Sequence, residues 1–469
     1  MSIQNRASCP GLCWAGPGAA ISEFKSHNGP HRLRAWPCLV VVALILASWL
    51  RPVAAASLAS ESESATGLPQ LIALALRNNK DLQAATYAIE IARARLVQAG
   101  LRPNPSLELS AQSDFLFGNE GQYASSVGVS QDFPVAGRLA RQKDLARVDI
   151  ALAEAEVANA QRLLVDDVAS SYYRLAVGMQ RVVGLDDLIA AEEGLAKATR
   201  ARFHAAEVSE MDVNTVQLDI QRLLLERSVS QSEQQSLLAS LNALLGRSPD
   251  TPLLVAPRLA TSESLPSLAQ LQRNALRQRP DLVGALLAVD RAAAERALAQ
   301  SMRWQDWTVG VSVAQDKQVI SGLPPQGTDR AIGLTLSIPL PLINKNQSLI
   351  AEAEANRDQA SARVEALNLN VNSEVAGAHA EATRLQAALA QFKKSLLPIG
   401  ERNLFLARQG YSMGLIPVSE VMQAQRQLAE ADKSYLTALD QYLQALVRLH
   451  AAAGDYLSAQ ANSTPSLKD

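Results

Sequence analysis

The stretch AIGLTLSIPLPLINKNQ, residues 331–347, changes its pattern halfway along. Large apolar residues occupy every second position of its first part: Ile332, Leu334, Leu336 and Ile338. Glycine, threonine and serine stand between them, which is the period of a strand with one apolar and one small polar face. Pro339 and Pro341 end the strand because proline has no N–H for a ladder hydrogen bond. Residues 342–397 contain no proline and are rich in strong helix formers, so a long helix is predicted to follow the strand directly.

The segment WTVGVSVAQ, residues 307–315, repeats this alternation. Further strands are predicted at 106–113, 123–133 and 330–338, and about nine to eleven such residues suffice to cross a membrane. The alternation predicts that the large apolar side chains of the second strand pair face lipid: Trp307, Val309, Val311, Val313, Ile332, Leu334 and Leu336. A soluble hairpin packed on a helix is the alternative that a single strand pair leaves open.

Two halves of the chain are similar to each other. Three pairs of segments recur in the same order about 200 residues apart, which indicates a duplicated domain rather than a short solenoid repeat. These pairs are ALRNNKDL (75–82) and ALRQRPDL (275–282), VGVSQDFPVAGR (127–138) and IGLTLSIPLPLI (332–343), and FHAAEVSEMDVNTVQ (203–217) and YSMGLIPVSEVMQAQ (411–425). Each half is predicted to contain a helix, a strand pair and two long helices joined by a turn. The predicted repeats are 57–260 and 261–455, followed by a C-terminal tail at 456–469.

Residues 1–56 have the features of a leader with a signal peptide. Arg32 and Arg34 precede an apolar run from Cys38 to Leu50, and three consecutive alanines end at Ala56. This order of basic, apolar and small residues is typical of a secretory signal. All 3 cysteines of the chain lie within this segment, so its removal would exclude disulfides and a catalytic thiol from the exported protein.

Long helices are predicted for most of the remaining chain. Residues 139–204 contain no proline and would reach about 100 Å as one helix. Helices are also predicted at 69–100 and 419–452, and Pro398 is expected to kink or break the helix that leads to Tyr411. In the last helix, apolar residues recur at strict intervals of seven, which predicts supercoiled packing: Val421, Leu428, Tyr435, Tyr442 and Leu449.

The small number of strands limits how they could form a membrane barrel. Four strands cannot close a barrel, and each unpaired backbone group at membrane depth costs several kcal/mol. Several copies would therefore have to share one barrel. Two copies would give eight strands and a filled interior, whereas three would give twelve and leave an aqueous lumen. Small polar residues suit such a lumen: Thr308, Ser312, Thr335 and Ser337.

The duplication, the two strand pairs and the turn motifs FHAAEVSEMDV and YSMGLIPVSEV together resemble the TolC-type outer-membrane efflux factors, over about residues 68–454. The second turn matches that family's Tyr-x-x-Gly and acidic residue through Tyr411, Gly414 and Glu420. The first turn departs from the family, because Ala206 stands where glycine is usual, and this departure puts the tight geometry there in question. IPLPLINKNQSLIAEA (338–353) and SQDFPVAGR (130–138) are most similar to the heavy-metal cation efflux branch, of the cobalt–zinc–cadmium resistance type.

The resemblance implies an α+β membrane protein, assembled as a homotrimeric channel-tunnel. Each chain would give four strands to a shared 12-stranded barrel in outer-membrane lipid, continued by a long antiparallel helical barrel in the periplasm. The implied function is a passive exit duct. It would dock through a periplasmic membrane-fusion adaptor onto an inner-membrane, proton-driven pump of the resistance-nodulation-division type, and export heavy-metal cations.

The resemblance also implies a docking surface at the two helical turns. Small or apolar residues would be exposed there and would contact the adaptor: Ala206, Gly414 and Leu415. An exposed apolar residue at a tip is typical of a contact surface. The turns are therefore the predicted site of attachment to the rest of an efflux system.

A periplasmic entrance is implied just after the second turn. The family residues that line its narrowest point fall by position on Tyr411, Ile416, Glu420 and Gln423. Ile416 and Gln423 depart from the charged residues usual there, so threefold symmetry would leave a ring of Glu420 carboxylates. Such a ring attracts multivalent cations. The alternative is that Glu420 is a helix-start acid that faces solvent.

No catalytic centre, cofactor or nucleic-acid surface is predicted. Beyond the leader only His204, His379 and His450 remain, and they do not have the spacing of metal ligands. The net charge of −2 provides no basic surface for nucleic acid. Two alternatives remain open for the function. One is a soluble periplasmic coiled-coil protein with a structural or adaptor role, and the other is an outer-membrane duct for drugs or polypeptides.

Overall fold

The computed structural model describes residues 67–116, 121–253, 265–320, 322–324 and 326–454. The predicted leader at 1–56, the tail at 456–469 and the boundary between the repeats near 260 lie outside these residues. Within the described ranges, no helix combines the length and the apolar character needed to span a membrane.

The same order of elements occurs twice in the described chain. The first series is α1 (Leu68–Asn78), α2 (Lys80–Ala99), β1 (Ser106–Ser113), β2 (Tyr123–Phe133), α3 (Arg138–His204) and α4 (Glu210–Leu244). The second is α5 (Leu268–Gln278), α6 (Pro280–Ser301), β3 (Trp307–Lys317), β4 (Asp329–Ser337), α7 (Gln347–Gln391), a π-helical turn (Phe392–Leu396), α8 (Leu397–Ser412) and α9 (Val418–Ala453). The prediction of one helix from 139 to 204 is confirmed, because α3 is continuous over 67 residues.

The prediction of a single helix at 69–100 is wrong, because Asn79 interrupts it. Asn79 is extended, with φ of −60° and ψ of 126°, and its side-chain oxygen accepts a hydrogen bond of 2.8 Å from the Leu82 N–H. This N-cap satisfies a backbone donor that has no partner within α2. Arg279 is extended in the same way between α5 and α6, and Pro280 begins the second helix of that pair. Proline is tolerated at that position because the first helical N–H has no partner within the helix.

Pro398 neither breaks nor ends the long helix of the second half. Proline in a helix removes a hydrogen bond and its ring clashes with the carbonyl four residues earlier. The chain accommodates Pro398 by widening the preceding turn, so that the Leu397 N–H donates to the Phe392 carbonyl, five residues earlier. The π-helical turn Phe392–Leu396 is the result, and the helix then continues as α8 to the second hairpin turn.

The four strands form one antiparallel sheet in the order β1-β2-β3-β4. The two hairpins join through the central pair, in which Val129 lies opposite Val311. In the single chain, β1 and β4 are therefore the edge strands, and each has one unpaired side. The strands extend over the predicted segments to within two residues, since β3 ends at Lys317 rather than at 315.

Each half has its own apolar core where the short helices meet the long ones. In the first half Leu71 packs with Val168 of α3 and Leu241 of α4. In the second half Leu271 packs with Val375 and Leu449 in the same way. The series of seven-residue intervals on α9 faces the interior, with its members buried or partly buried: Val421, Leu428, Tyr435, Tyr442 and Leu449.

Four helices form a layer that leads to the two hairpin turns. α4 packs against α3, α3 against α9, and α9 against α8. α4 and α8 are thus the outer members of this layer. The turns lie between α3 and α4, at residues 205–209, and between α8 and α9, at residues 413–417.

Candidate channel surfaces and hairpin turns

One face of the sheet is apolar across β3 and β4. Residues opposite each other in an antiparallel ladder project from the same face, and the register places Val311 opposite Leu334. The seven side chains predicted to face lipid therefore share one face: Trp307, Val309, Val311, Val313, Ile332, Leu334 and Leu336. In the single chain this face is open, and Ile332 is 82% exposed.

The same apolar face continues onto β1 and β2, for which no lipid-facing residues were predicted from the sequence. The additional members are exposed large apolar residues: Leu107, Leu109, Val127 and Val129. The signal was present in the sequence, because Leu107 and Leu109 in one segment, and Val127 and Val129 in the other, are two residues apart. An exposed apolar surface that covers four strands is larger than soluble monomers ordinarily leave in water, so it marks a membrane or protein contact.

The opposite face of the sheet is lined by small polar residues. The hydroxyls of Ser110 and Ser126 share a hydrogen bond of 2.8 Å across β1 and β2. On the neighbouring strands, Thr308 donates a hydrogen bond of 2.6 Å to the carboxylate of Asp132. Gly333 lies opposite Ser312, and a Cβ at Gly333 would come within 2.8 Å of the Ser312 hydroxyl oxygen. This face is suited to contact water, because its hydroxyl and carboxylate groups remain hydrated without burial.

Both hairpin turns have the same backbone geometry. Ala206 has a φ of 58° and Gly414 a φ of 73°, so both occupy the left-handed region. In each turn the N–H of the following residue donates to the carbonyl five residues earlier, at 2.9 Å. This pattern is the Schellman motif, which normally has glycine at the left-handed position. The tight geometry therefore forms at Ala206 as well, although a left-handed alanine costs about 1–2 kcal/mol.

The turns expose side chains next to these two positions. Leu415 is 73% exposed, and the remaining predicted docking residues, Ala206 and Gly414, lie at the surface beside it. After the first turn, Ser209 and Asp212 form a capping box in which each side chain accepts a hydrogen bond from the other's backbone N–H. The start of α4 therefore accounts for the acidic residue at Asp212. The use of these turns for docking stays a prediction.

The four residues predicted at the entrance divide into two pairs. Tyr411 is buried, and its hydroxyl shares a hydrogen bond of 3.0 Å with that of Thr199 on α3. Ile416 is partly buried in the same apolar cluster. Glu420 and Gln423 are exposed and lie three residues apart on one face of α9. In the single chain Tyr411 therefore links α8 to α3 through a hydrogen bond. Glu420 and Gln423 are instead free to contact solvent or the lumen of a channel.

Arg202, at the end of α3, contacts both hairpin turns and was not predicted from the sequence. Its guanidinium lies 4.5 Å from the centre of the Tyr411 ring and also donates a hydrogen bond of 3.3 Å to the Ser412 carbonyl. It lies 3.4 Å from the carboxylate of Glu207 as well. These contacts join the first hairpin turn to the second. The only sequence signal was a basic residue in the last turn of α3, which a helix end favours for reasons unrelated to such a contact.

The described residues contain no group of three or more His, Cys, Asp or Glu side chains placed to hold a metal ion. An open groove of about 730 Å³ runs between α3 and α4 near the first turn. Charged and amide side chains line it, among them Glu193, Lys197, Arg200, Gln217 and Gln221. The groove brings together no nucleophile with an adjacent base, so its geometry offers no arrangement for covalent catalysis.

Comparison with protein families decides the class of the chain. Residues 71–247 and 271–455 both match the model of the outer membrane efflux protein family. The chain belongs to this family. The outer membrane efflux proteins are channels rather than enzymes, and membership places this chain in the outer membrane, with its long helices in the periplasm. The two matched segments coincide with the two series of elements in the fold.

Individual relatives cover most of the chain at low identity. The cobalt-zinc-cadmium resistance protein CzcC of Cupriavidus metallidurans is 23% identical over 390 residues, which are 82% of this chain and 90% of CzcC. The toluene efflux pump outer membrane protein TtgF of Pseudomonas putida is 24% identical over 413 residues, covering 83% of this chain and 84% of TtgF. A crystal structure of CusC has a TM-score of 0.67 and 22% identity, covering 82% of this chain and 92% of CusC. The chain thus shares the fold of this solved outer-membrane channel.

Proposed function

We propose that three copies of this outer membrane efflux protein form a channel-tunnel that crosses the outer membrane and continues through the periplasm. The observation that carries the proposal is the sheet, which has an exposed apolar face, a small polar face and two unpaired edges. Closing a barrel at membrane depth requires every edge to be paired. Three copies would place twelve strands in one barrel, with the apolar face toward lipid and the hydroxyls toward a water-filled lumen.

The outer helices of the hairpin layer support the same assembly. On α4, exposed apolar residues recur at intervals of seven: Met211, Leu218 and Leu225. Along α8 and its C-cap they recur with the same interval: Ile399, Leu406 and Met413. Both stripes begin at the hairpin turns, because Met211 is the second residue of α4 and Met413 directly follows α8. In a closed ring, α4 of one copy would therefore meet α8 of the next copy, with Leu218 level with Leu406.

A disulfide cross-link tests this assembly. The residues outside 1–56 include no cysteine, so introduced pairs report on their own contacts. We expect Leu218→Cys with Leu406→Cys, and equally Leu225→Cys with Ile399→Cys, to give cross-linked dimers and trimers of the folded protein on oxidation. A disulfide forms only when the two Cα atoms lie within about 7 Å.

A register control uses the same side chains in a mismatched pair. Leu218→Cys with Ile399→Cys displaces the partners by one interval of seven residues, which is about 10 Å along a helix. This pair is expected to remain reduced. Equal cross-linking of matched and mismatched pairs, or none with any pair, would contradict the ring.

For the transported substrate, we propose heavy-metal cations, delivered by an inner-membrane proton-driven pump through a periplasmic adaptor docked on the hairpin turns. Two observations support the proposal: the similarity to CzcC, a cobalt-zinc-cadmium resistance protein, and the resemblance of the segment IPLPLINKNQSLIAEA to the heavy-metal efflux branch. TtgF supports the second candidate, an outlet for apolar small molecules. A gene deletion separates them: the first predicts new sensitivity to zinc, cobalt and cadmium with unchanged toluene tolerance, and the second predicts the reverse.

Glu420 is proposed to form the cation-attracting ring of the periplasmic entrance. It is exposed in the first turn of α9, and three copies around one axis would bring three carboxylates together. Divalent cations added on the periplasmic side should then retard conduction through the purified channel in a planar bilayer, and Glu420→Gln should relieve this block. Asp212→Asn, at the other helix start, serves as the matched control and should do little. If divalent cations block the Glu420→Gln channel as strongly as the wild type, the ring is contradicted, and Glu420 is only an acidic residue favoured at a helix start.

A further inference from the structure

A carboxyl group interrupts the apolar side of α3 between the two hairpins. The residues that face the neighbouring helices are all buried and follow a helical spacing: Leu185, Ile189, Glu192, Ala196 and Thr199. Glu192 is only 1% exposed, as deeply buried as the apolar members of the series. Glutamate is rarely buried to this extent unless it is paired.

Glu192 has no such pairing in the described chain. Its Oε2 atom is buried without a hydrogen-bond partner among the described residues. Gln425 of α9 is 2% exposed, and within the same described ranges neither atom of its side-chain amide has a partner. Buried polar groups are ordinarily hydrogen-bonded, so two such residues in one helical layer call for a functional explanation.

The charged groups around Glu192 come from three other helices. They are Asp219 and Arg222 of α4, Arg408 of α8 and Arg426 of α9. Asp219 lies 3.2 Å from Arg222 and 3.9 Å from Arg426, so this more accessible carboxylate has the close arginine contacts. Arg426 directly follows Gln425, which places the glutamine at the same level of the layer.

Burial and, to a smaller extent, the negative charge of Asp219 raise the pKa of Glu192 to about 7, against the opposing effect of the three arginines. A neutral Glu192 costs much less to bury without a partner than an ionised one. Among the described residues an ionised Glu192 forms no salt bridge, and the surrounding arginines act on it only through longer-range attraction, so water would stabilise it best. Ionisation therefore favours an arrangement in which the helices have separated and water has entered.

The position of Glu192 suits control of hairpin movement. It lies 14 residues before Ala206, or about 20 Å from the hairpin tip along α3. The π-helical turn at Phe392–Leu396 lies farther from the tips, at the start of α8. Irregular turns of this kind are frequent at functional sites and interrupt the regular ladder of a helix. Along the α8–α9 hairpin, Glu192 thus lies between this irregular turn and the tip, where Arg202 contacts Tyr411 and Ser412.

We propose that Glu192 is a proton-controlled latch between the two helical hairpins, which holds the periplasmic end of the channel closed when it is neutral and favours opening when it is ionised. This inference rests on the proposed channel function. It assigns to Glu192 a role that neither the docking turns nor the entrance residues supply. The ligand of the Glu192 carboxylate is a proton from the periplasmic solution.

The direction of the pH dependence follows from the two pKa values. The ordinary pKa of a glutamate is 4.5, and burial in the closed layer raises that of Glu192 to about 7. The closed form therefore holds the proton more tightly, and its advantage is complete below about pH 4.5. The advantage of the closed form decreases as the pH rises from about 4.5 to about 7, and it stays constant above that. Between the two values, the ratio of open to closed channels should rise roughly tenfold per pH unit.

The test is the open fraction of the purified channel in a planar bilayer between pH 5 and pH 8. The wild-type channel should open more as the pH rises and reach a plateau above about 7. Glu192→Gln, which keeps the shape and removes the charge, should hold the open fraction at the wild-type low-pH level throughout. Glu193→Gln is the matched control, because this neighbouring side chain is exposed in the groove between α3 and α4 and its substitution should leave the wild-type profile intact.

A second measurement needs no variant. Amide hydrogen exchange of the wild-type protein, corrected for intrinsic rates, should show less protection of α3 and α9 around Glu192 and Gln425 at pH 8 than at pH 5. A wild-type pH profile in Glu192→Gln, or equal protection at both pH values, would overturn the latch. If the protein forms no channel at all, the proposed function is contradicted. The hydrogen-exchange comparison would still test whether ionisation of Glu192 loosens the contact between the helices.

Discussion

Arginine at Val311 is expected to cost about 2–4 kcal/mol of folding free energy in the membrane, because a charge on the lipid face near the midplane loses its hydration. Val311 is the fifth residue of the 11-residue strand β3, and its paired neighbours Val129 and Leu334 are also apolar. Urea titration of the channel folded in lipid vesicles measures the loss. In cells, the same variant should show a lower yield of heat-dissociable trimers in the outer membrane.

A control for Val311→Arg must place arginine at the same depth in the membrane but on the opposite, polar face of the sheet. Gly310 precedes Val311 on the polar side, and a Cβ there would meet Ser130 and Thr335 only at ordinary contact distances. Gly310→Arg should therefore cost much less, as should Thr308→Arg, which places the guanidinium beside Asp132. Equal assembly of the variants on both faces would mean that the apolar face of the sheet does not lie in lipid.

A tryptophan at Gly414 is expected to abolish metal resistance while leaving trimers intact in the outer membrane. A Cβ at Gly414 would meet only the Arg202 guanidinium, at 3.8 Å, so the large side chain would project from the tip rather than into the core. Its bulk would obstruct an adaptor docked on the turn. The measurement is growth of the deletion strain on zinc, cobalt and cadmium, complemented with each variant, together with trimer yield.

Two controls separate bulk from backbone strain in that experiment. Gly414→Ala introduces the left-handed strain of about 1–2 kcal/mol without the bulk, and Ala206 shows that alanine is accommodated in the equivalent turn. Gly377→Trp adds the same bulk on an exposed part of α7, where a Cβ meets nothing within 4 Å. Both are expected to restore resistance. Full metal resistance with Gly414→Trp would show that the adaptor does not dock on the second turn.

Regular elements of this protein were predictable because their patterns extend over many residues. The uninterrupted run from 139 to 204 gives one helix, and alternation at Trp307 and Val311 gives both the strand and its face. The family was predictable as well, because the repeated turn motifs carry it. These features depend on local periodicity, which a single sequence displays directly.

Features that depend on contacts between distant segments were not predictable. Tyr411 was assigned to the entrance by position alone, and its burial against Thr199 depends on how two hairpins meet. Glu192 has an ordinary place in a helical sequence, and only the arrangement of α4, α8 and α9 around it buries its carboxyl group. The break at Asn79 likewise depends on one side-chain cap, whose strength a helical pattern does not reveal.

The π-helical turn gives the two halves of the molecule different angular phases. α3 spans 67 residues, and the rod from Gln347 to Ser412 spans 412 − 347 + 1, or 66 residues, so the two rods are nearly equal in length. An i→i+5 turn takes up one extra residue, which rotates every later side chain by about 100° around the axis. The side chains that α8 presents to α9 are therefore offset by about this angle from those that an uninterrupted α-helix would present. A duplicated sequence can in this way supply two rods of matching length whose side chains differ in angular phase near the hairpin turns.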